Sequence, residues 1–363
     1  MAELKVLVVT VVHVPRDARI FERQISAMLE AGVDVTYAAP WTGWGQQPPP
    51  ELRGIDLPRA AGRQRIGALR AARRMLRAEA PSHDLVLLHD PELLLIAGAA
   101  RKHTPVVWDV HEDAAASLVA RPWVPAVLRP LVRALIGAAE RVAERHLKLT
   151  LAEHAYQDRF ARPHPVVPNA PLLVDVTVAS GGSRIVYLGR VAAARGAHEL
   201  VEVGRRLRDR VTLEVIGDAE SDVAPVLAAA AERGDIVWTG YVPNREALSR
   251  VVGAAAGLSL LHDLPNFQGS MPTKVLEYLA CGVPVVTTPL PLAVEVVQDA
   301  DAGHVVPFGD VDAVVRAVEA LLSDDQARVA AGERGRSYIA EHHAWQAHAP
   351  AFVQLLRTWA ADV

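Results

Sequence analysis

Cysteine is almost absent from this sequence: among 363 residues only Cys281 occurs. No internal disulfide can form, and one small thiol in an apolar context fits a reducing compartment. Aromatic residues are few, at 5%, so a core must be filled largely by Ala, Val and Leu, which suits helices packed on buried sheets. Neither sign of charge dominates. Lys+Arg 38 against Asp+Glu 42 leaves a formal net charge of -4, which lacks the basic excess through which nucleic-acid binders usually work. Long apolar runs are missing as well. Residues 6–12 are apolar but short, and His13, Pro15, Arg16 and Asp17 follow where a leader would carry small residues. Charge breaks every longer window before it reaches bilayer-spanning length. These absences point to a globular protein, with the cytoplasm as its expected location.

What the sequence does contain is an alternation of strand and helix patterns. β-rich runs at residues 6–10, 33–38, 85–88, 106–108 and 147–151 are interleaved with helical patterns at 21–29, 66–78, 91–100 and 124–145. This is the beat of an α/β protein whose parallel sheet is covered on both faces. Residues 163–179 are dense in proline and end at Ser180, Gly181, Gly182 and Ser183, the composition of a linker. The alternation then begins afresh, with strands expected at 185–188, 213–216, 236–238, 258–261, 283–286 and 304–306. From Val311 the chain reads as helical, with Gly332, Gly335 and residues 342–345 expected to interrupt it. A chain of this length exceeds one ordinary core. The expected domains are 1–178 and 179–345, with a last helix at 346–363 packing back on the first.

In open α/β sheets ligands bind beyond the carboxyl ends of the strands, so the residues after each strand carry the chemistry. In the first half these are residues 13–19, then His89 and Asp90, then Asp109, His111 and Glu112. Asp90 also fits a helix cap and Asp109 a loop tie. His111 can both donate to and accept from a sugar hydroxyl. In the second half the first strand runs into Gly189 and Arg190, with Arg195 and Gly196 just beyond. Two guanidinium groups there suit a diphosphate, although weak surface ion pairs are the plainer reading. Gly217 and the Gly240, Tyr241, Val242 run would let backbone approach a planar base.

The stretch SMPTKVLEYLACGVPVVTT, from Ser270 to Thr288, is the most informative. Pro272 can open a helix, and Gly282 with Pro284 closes it before a buried strand. The uncapped N–H groups of Thr273 and Lys274 then favour an anion. Glu277, one turn in, could accept hydrogen bonds from sugar hydroxyls. The plainer reading makes Lys274 and Glu277 a solvated surface pair.

Taken in order, DARIFERQISAMLEAG, HDPELL, WDVHED, YLGRVAAARG, VIGD, GYVPNREAL and PTKVLEYLACGVPVVTT resemble the family 4 retaining glycosyltransferases of the GT-B fold, over nearly the whole chain. The resemblance implies two Rossmann-like parallel-sheet domains facing a central cleft. It also implies transfer of a hexose-type sugar, with retention, from a nucleotide diphosphate donor to a hydroxyl acceptor. UDP-sugar is the commonest donor in that family. Arg190 matches the family's diphosphate-binding arginine, and Arg195 stands where lysine is usual. Ser270, Thr273 and Lys274 complete the expected diphosphate site. Glu277 matches the second glutamate of the family's E-x7-E motif, which binds ribose, but Gly269 replaces the first. Either Asn266, Gln268 or the backbone around Gly269, Ser270 and Met271 then faces the donor sugar in its place, or sugar recognition differs. His111 matches the histidine that contacts that sugar, and Asp17, Arg19, Asp90 and Asp109 are assigned to the acceptor side.

The expected chemistry needs no metal and no cofactor: the arginines, Lys274 and the helix N-terminus hold the departing diphosphate, whose own oxygen takes the acceptor's proton. An inverting reaction would instead require a side-chain base, with Asp17 or Asp109 as candidates. Asp310 and Asp312 match a metal-binding D-x-D pattern but open a helix and read as caps. Glu341, His342 and His343 read as a solvated helix end rather than a zinc site. Arginines between Arg59 and Arg77 line one side of a helix. A solvated face is the favoured reading, and weak peripheral contact with an anionic inner membrane face the other. Two rival functions remain open: a sugar-nucleotide epimerase and a non-catalytic sugar-nucleotide sensor.

Overall fold

The computed structural model describes residues 4–111, 126–173, 175 and 181–362. Glu112, the start of the helix expected at 124–145, and residues 174 and 176–180 of the expected linker lie outside the described residues. The chain forms two compact units. One comprises Met1–Asn169 with Ala347–Val363, the other Ala170–Gln346. The first crossing falls at Asn169, inside the proline-dense stretch, rather than at residue 178.

The N-terminal unit holds β1 (Lys5–Val9), β2 (Asp34–Ala39), β3 (Arg53–Asp56), β4 (Leu85–Leu88), β5 (Val106–Val110) and β6 (Lys148–Leu151). They form one parallel sheet in the order β3-β2-β1-β4-β5-β6. Val6 to Val9 and Leu85 to Leu88 are fully inaccessible. Each such Val or Leu stabilises the fold by about 1.5–3 kcal/mol relative to exposure. The edge strand β3 was not foreseen, since its half-exposed RGID sequence has no apolar run to betray it. The helix expected at 21–29 is α1 (Ser26–Glu30) preceded by a wider π-helical turn, Ile20–Ile25. That at 91–100 is two short 3₁₀ turns, Pro91–Leu95 and Ala97–Ala99. Two long helices, α2 (Arg65–Glu79) and α3 (Arg129–His146), complete the unit's middle.

The C-terminal unit repeats the plan. Its strands β7 (Arg184–Leu188), β8 (Thr212–Ile216), β9 (Val237–Gly240), β10 (Gly257–Ser259), β11 (Val285–Thr287) and β12 (Gly303–Val305) form a parallel sheet ordered β12-β11-β10-β7-β8-β9. Counted from its own first strand, this is the order of the first sheet. The intervening helices include α4 (Ala197–Leu207), α5 (Ala224–Glu232), α6 (Asn244–Val251), α7 (Pro265–Gln268), α8 (Thr273–Ala280), α9 (Pro291–Asp299) and α10 (Val311–Ser323). Asp310 caps α10, accepting from the Ala313 amide at 2.8 Å.

One expectation fails. Helix α11 (Asp325–His342) runs unbroken through Gly332 and Gly335. A Cβ at Gly332 would lie 2.2 Å from the Gly282 carbonyl oxygen, and one at Gly335 would lie 2.6 Å from Leu279 Cδ2. These glycines let α11 approach the end of α8 closely, and that approach, not chain flexibility, explains them. The last helix, α12 (Trp345–Ala361), buries Phe352, Val353 and Leu356. Near its end the Arg357 guanidinium donates to the Ala31 carbonyl at 2.9 Å. Among the described residues no helix is long and apolar enough to cross a membrane.

Candidate active site

In the C-terminal sheet β7 and β10 are neighbours whose connections leave in opposite directions, which opens a crevice beyond their carboxyl ends. Tyr278 of α8 fixes this point from beneath. Its buried hydroxyl accepts from the Leu188 amide at 2.7 Å and donates to the Leu258 carbonyl at 3.1 Å. Its ring occupies the space that a side chain at Gly257 would need, 2.3 Å away. Tyr278 thereby ties α8 to both strands of the switch point. The motif around Glu277 contained it, but only the pairing of β7 with β10 reveals its task.

The helix start places Lys274 in an unusual position. The residue is 5% exposed, its Nζ has no hydrogen-bond partner, and it lies 3.6 Å above the Tyr187 ring. Burial, then the nearby Arg195 charge, push the Lys274 pKa well below the ordinary lysine value, while Glu277 partly opposes them. A buried ammonium without an acceptor is costly, and an anion is what would satisfy it. Gly189, at φ 111°, leaves the approach open: a Cβ there would sit 3.9 Å from Nζ. The adjacent N-terminus of α8 has no side-chain cap. Arg195 is half-buried, 5.6 Å from the Phe267 ring centroid.

The structure separates the two expected diphosphate arginines. Arg190 turns outward, 58% exposed, and pairs with Glu220 at 2.9 Å. It makes the surface ion pair that was its plainer reading. Gly217 is corrected too. Its missing side chain admits the Gly189 carbonyl, 2.1 Å from where a Cβ would stand, so it closes the backbone rather than opening it to a base. Tyr241 is exposed, and Val242 packs against the apolar cluster beneath α8. Gln268 spends its amide on the Asp263 carboxylate, while Asn266 and Gly269 are exposed and Ser270, Met271 and Thr273 half-buried.

Glu277 is buried and accepts from Asn244 Nδ2 at 3.3 Å. Asn244 begins α6, and its Oδ1 is buried without a hydrogen-bond partner. Asn244 was present in the GYVPNREAL segment but not singled out. Asn244 Oδ1 thus stands beside Glu277 as a further acceptor that hydroxyl groups could satisfy.

The corresponding edge of the N-terminal sheet is built differently. Asp109 is inaccessible and receives two 2.7 Å bonds from Arg19, through Nε and Nη2, and another of 2.7 Å from Thr150. Arg19 also donates to Asn169 Oδ1 and the Val167 carbonyl, each at 2.8 Å. Asp90 is equally inaccessible and accepts from the Thr10 hydroxyl and the Val12 amide. Arg19, Asp90 and Asp109 therefore hold the edge together instead of presenting themselves to an acceptor. Burial alone would raise the Asp109 carboxyl, but the Arg19 charge and its hydrogen bonds, with His111 and His89, hold it well below the ordinary value. That removes Asp109 as a general base. Asp17 is half-buried and accepts from the amides of Arg19 and Ile20 at 2.8 and 3.0 Å.

His111 Nε2 lies 3.2 Å from His13 Nε2, so one nitrogen must donate and the other accept. His89 is fully buried, and burial lowers its pKa, which keeps it neutral at pH 7. Ligand atoms of His89, Asp109 and His111 lie within 4.8 Å of one another. The Arg19 guanidinium already occupies that carboxylate, and its charge opposes a divalent cation there.

Residues 182–324 match the family model described as glycosyl transferases group 1. A GDP-mannose-dependent alpha-(1-6)-phosphatidylinositol monomannoside mannosyltransferase of Mycolicibacterium smegmatis is 40% identical over 188 residues, covering 47% of each chain. The chain spans less than half the length of the first curated relatives it matches, 40%, 24% and 49%. Sucrose-phosphate synthase from Thermosynechococcus elongatus superposes with a TM-score of 0.75 at 16% identity, over 99% of this chain and 100% of that one. Anabaena HepE, solved in complex with UDP-glucose, gives 0.70 at 14%, over 98% and 100%. Such low identities speak for the fold alone, here two six-stranded parallel sheets. Residues 182–324 of the C-terminal unit thus carry the group 1 match, and the architecture across nearly the whole chain is that of the GT-B fold.

Proposed function

We propose that this protein is a retaining glycosyltransferase that moves a hexose-type sugar from a UDP-sugar to a hydroxyl acceptor in the cytoplasm, without a metal ion. The observation that carries the reading is Lys274: a buried ammonium with no hydrogen-bond partner, in the field of Arg195 and at an uncapped helix start. A diphosphate supplies the missing acceptors, and its charge is what must be stabilised as the sugar departs. Arg190 would leave Glu220 to join it once the anion is bound. Glu277 and Asn244 would take the ribose hydroxyls. The loop through Gln268, Gly269 and Ser270 would face the donor sugar, with backbone amides in place of the carboxylate that Gly269 lacks.

In the transfer, the bond from the anomeric carbon to the diphosphate breaks as the acceptor oxygen bonds to that carbon on the same face. The hydroxyl proton passes to the departing phosphate. Asp109 is too firmly ionised and too buried to take it. Acceptor recognition falls to the N-terminal unit, where Asp17 and His111 keep some exposure.

UDP should raise the melting temperature, since a ligand that binds only the folded chain stabilises it by mass action. Hydrolysed or transferred sugar should appear with its anomeric configuration kept, as read by proton NMR of the product. A flat melting curve across UDP, GDP and their sugars would overturn the proposal. A second donor reading has its own support. The 40% identical relative is named as GDP-mannose-dependent, so GDP-mannose belongs in the same screen, and a larger shift with GDP than UDP selects it.

A further inference from the structure

Helix α3 is amphipathic in the wrong sense for a surface helix of a soluble unit. Its buried residues are Glu140, Ala143 and Glu144. Glu140 pairs with Arg159, and Glu144 accepts from the Arg162 amide at 2.8 Å and meets His164 at 3.1 Å. Its outward residues include, beside arginines, a row of apolar ones: Leu131, Leu135 and Val142 are 57%, 62% and 55% exposed. They recur four and seven residues apart and so share one side. A groove of about 410 Å³ runs beside them, lined by Leu94, Ala97, Ala138 and Ala139, with the 78% exposed Leu95 at its margin. No carboxylate lines it.

That groove shares Arg101, His146 and Leu147 with a second cavity of about 470 Å³, to which Lys102, His103 and Arg145 also contribute. Among the described residues Arg101, Lys102 and Arg145 make no ion pair. The two carboxylates of this cavity are already engaged: Glu144 as above, and Asp362 with Lys148 at 2.9 Å. The result is an apolar strip with an unneutralised cationic rim.

We propose that this face of the N-terminal unit docks on an anionic lipid bilayer, with the Leu131, Leu135 and Val142 side chains entering the headgroup boundary and Arg101, Lys102, Arg141 and Arg145 meeting lipid phosphates. Interfacial helices bind by this combination of buried apolar area and basic flanks. Charge selects the occupant. A second copy seated across a twofold axis on this strip would bring the Arg141 and Arg145 that flank it against those of the other copy. A lipid surface brings the opposite sign. The inference moves the membrane contact away from α2, whose apolar residues Ala68, Ala72 and Leu76 are spent in the core, leaving its arginines a solvated face. It stands apart from sugar transfer, because vesicle binding requires no donor.

Sedimentation of the full chain with vesicles of seven parts phosphatidylcholine to three parts phosphatidylglycerol tests it. Each basic side chain near such a surface raises partitioning about fivefold, so Arg141→Glu with Arg145→Glu should cut pelleting at least about tenfold. Leu131→Gln, Leu135→Gln and Val142→Gln together should do the same, and Arg70→Glu, Arg73→Glu and Arg74→Glu should leave it unchanged. Melting temperatures, with and without UDP, should match the wild type in all three, since the altered side chains are exposed. The proposal falls if the wild type does not pellet, if the apolar variant pellets as well as wild type, or if the α2 variant alone is lost. It also falls if light scattering shows a wild-type dimer that the apolar variant converts to monomer.

Discussion

The two sheets share one strand order but treat buried charge in opposite ways. At the carboxyl edge of the N-terminal sheet, Arg19 and Asp109 neutralise each other, and Thr150, Asn169 and Val167 satisfy what remains. At the same edge of the C-terminal sheet, Lys274 is buried with no hydrogen-bond partner. A satisfied buried pair is a structural device, whereas an unsatisfied buried cation stores a demand for an anion. Position at a topological switch point therefore nominates residues, and the state of their hydrogen bonds decides between architecture and binding.

Removing one partner is the severest way to break this contrast. Asp109→Asn leaves Arg19 buried without its counter-charge and should lower the stability of the N-terminal unit by about 3–5 kcal/mol in urea unfolding. The carboxylate's contribution is present above its unfolded pKa, near the ordinary aspartate value of 3.8, and is lost as pH falls toward its lower folded value. Wild type should therefore lose more stability on acidification than the variant.

Lys274→Met should act in the reverse direction on stability and strongly on function. Turnover should fall about 10²–10³-fold, comparable to losing one preorganised donor to a developing anion. The ligand-free protein should melt higher, because an apolar chain of similar length replaces an unpaired buried charge. A lower melting temperature would show that Lys274 is already well satisfied. The wild type carries a pH signature of the same fact. With the folded pKa below 10.5, the unfolded chain holds the proton more tightly, so ligand-free stability should rise as pH climbs toward 10.5. UDP, as an anion beside Nζ, should oppose that depression and flatten the pH dependence of stability.

The smallest effect sharpens the comparison within the C-terminal site. Arg195→Ala should weaken UDP binding more than Arg190→Ala, whose guanidinium must first leave Glu220. The difference should be up to about fivefold in Kd, the scale of an exposed ion pair worth up to about 1 kcal/mol. Equal losses would mean that the Glu220 pair offers no resistance.

Much of this protein was legible from periodicity. The buried apolar strands, Leu85–Leu88 and Arg184–Leu188 among them, stand out because burial on both faces demands unbroken apolar runs. The edge strand Arg53–Asp56 did not, since an edge needs no such run. The motif from Ser270 to Thr288 marked a helix start suited to an anion because proline, glycine and apolar spacing act locally. Gly332 and Gly335 misled for the complementary reason: a glycine required for a close approach and one that ends a helix are the same letter.

What sequence alone determined is the alternation of elements, the group 1 segment and the short list of polar residues beyond strand ends, all of which follow from neighbours along the chain. Only tertiary structure decided which of those residues were already spoken for. Arg19 finds Asp109 across 90 positions, α3 turns its glutamates inward toward Arg159 and His164, and Lys274 is left over Tyr187. Satisfaction of a buried charge depends on groups far apart in sequence, and local pattern carries no record of whether they meet.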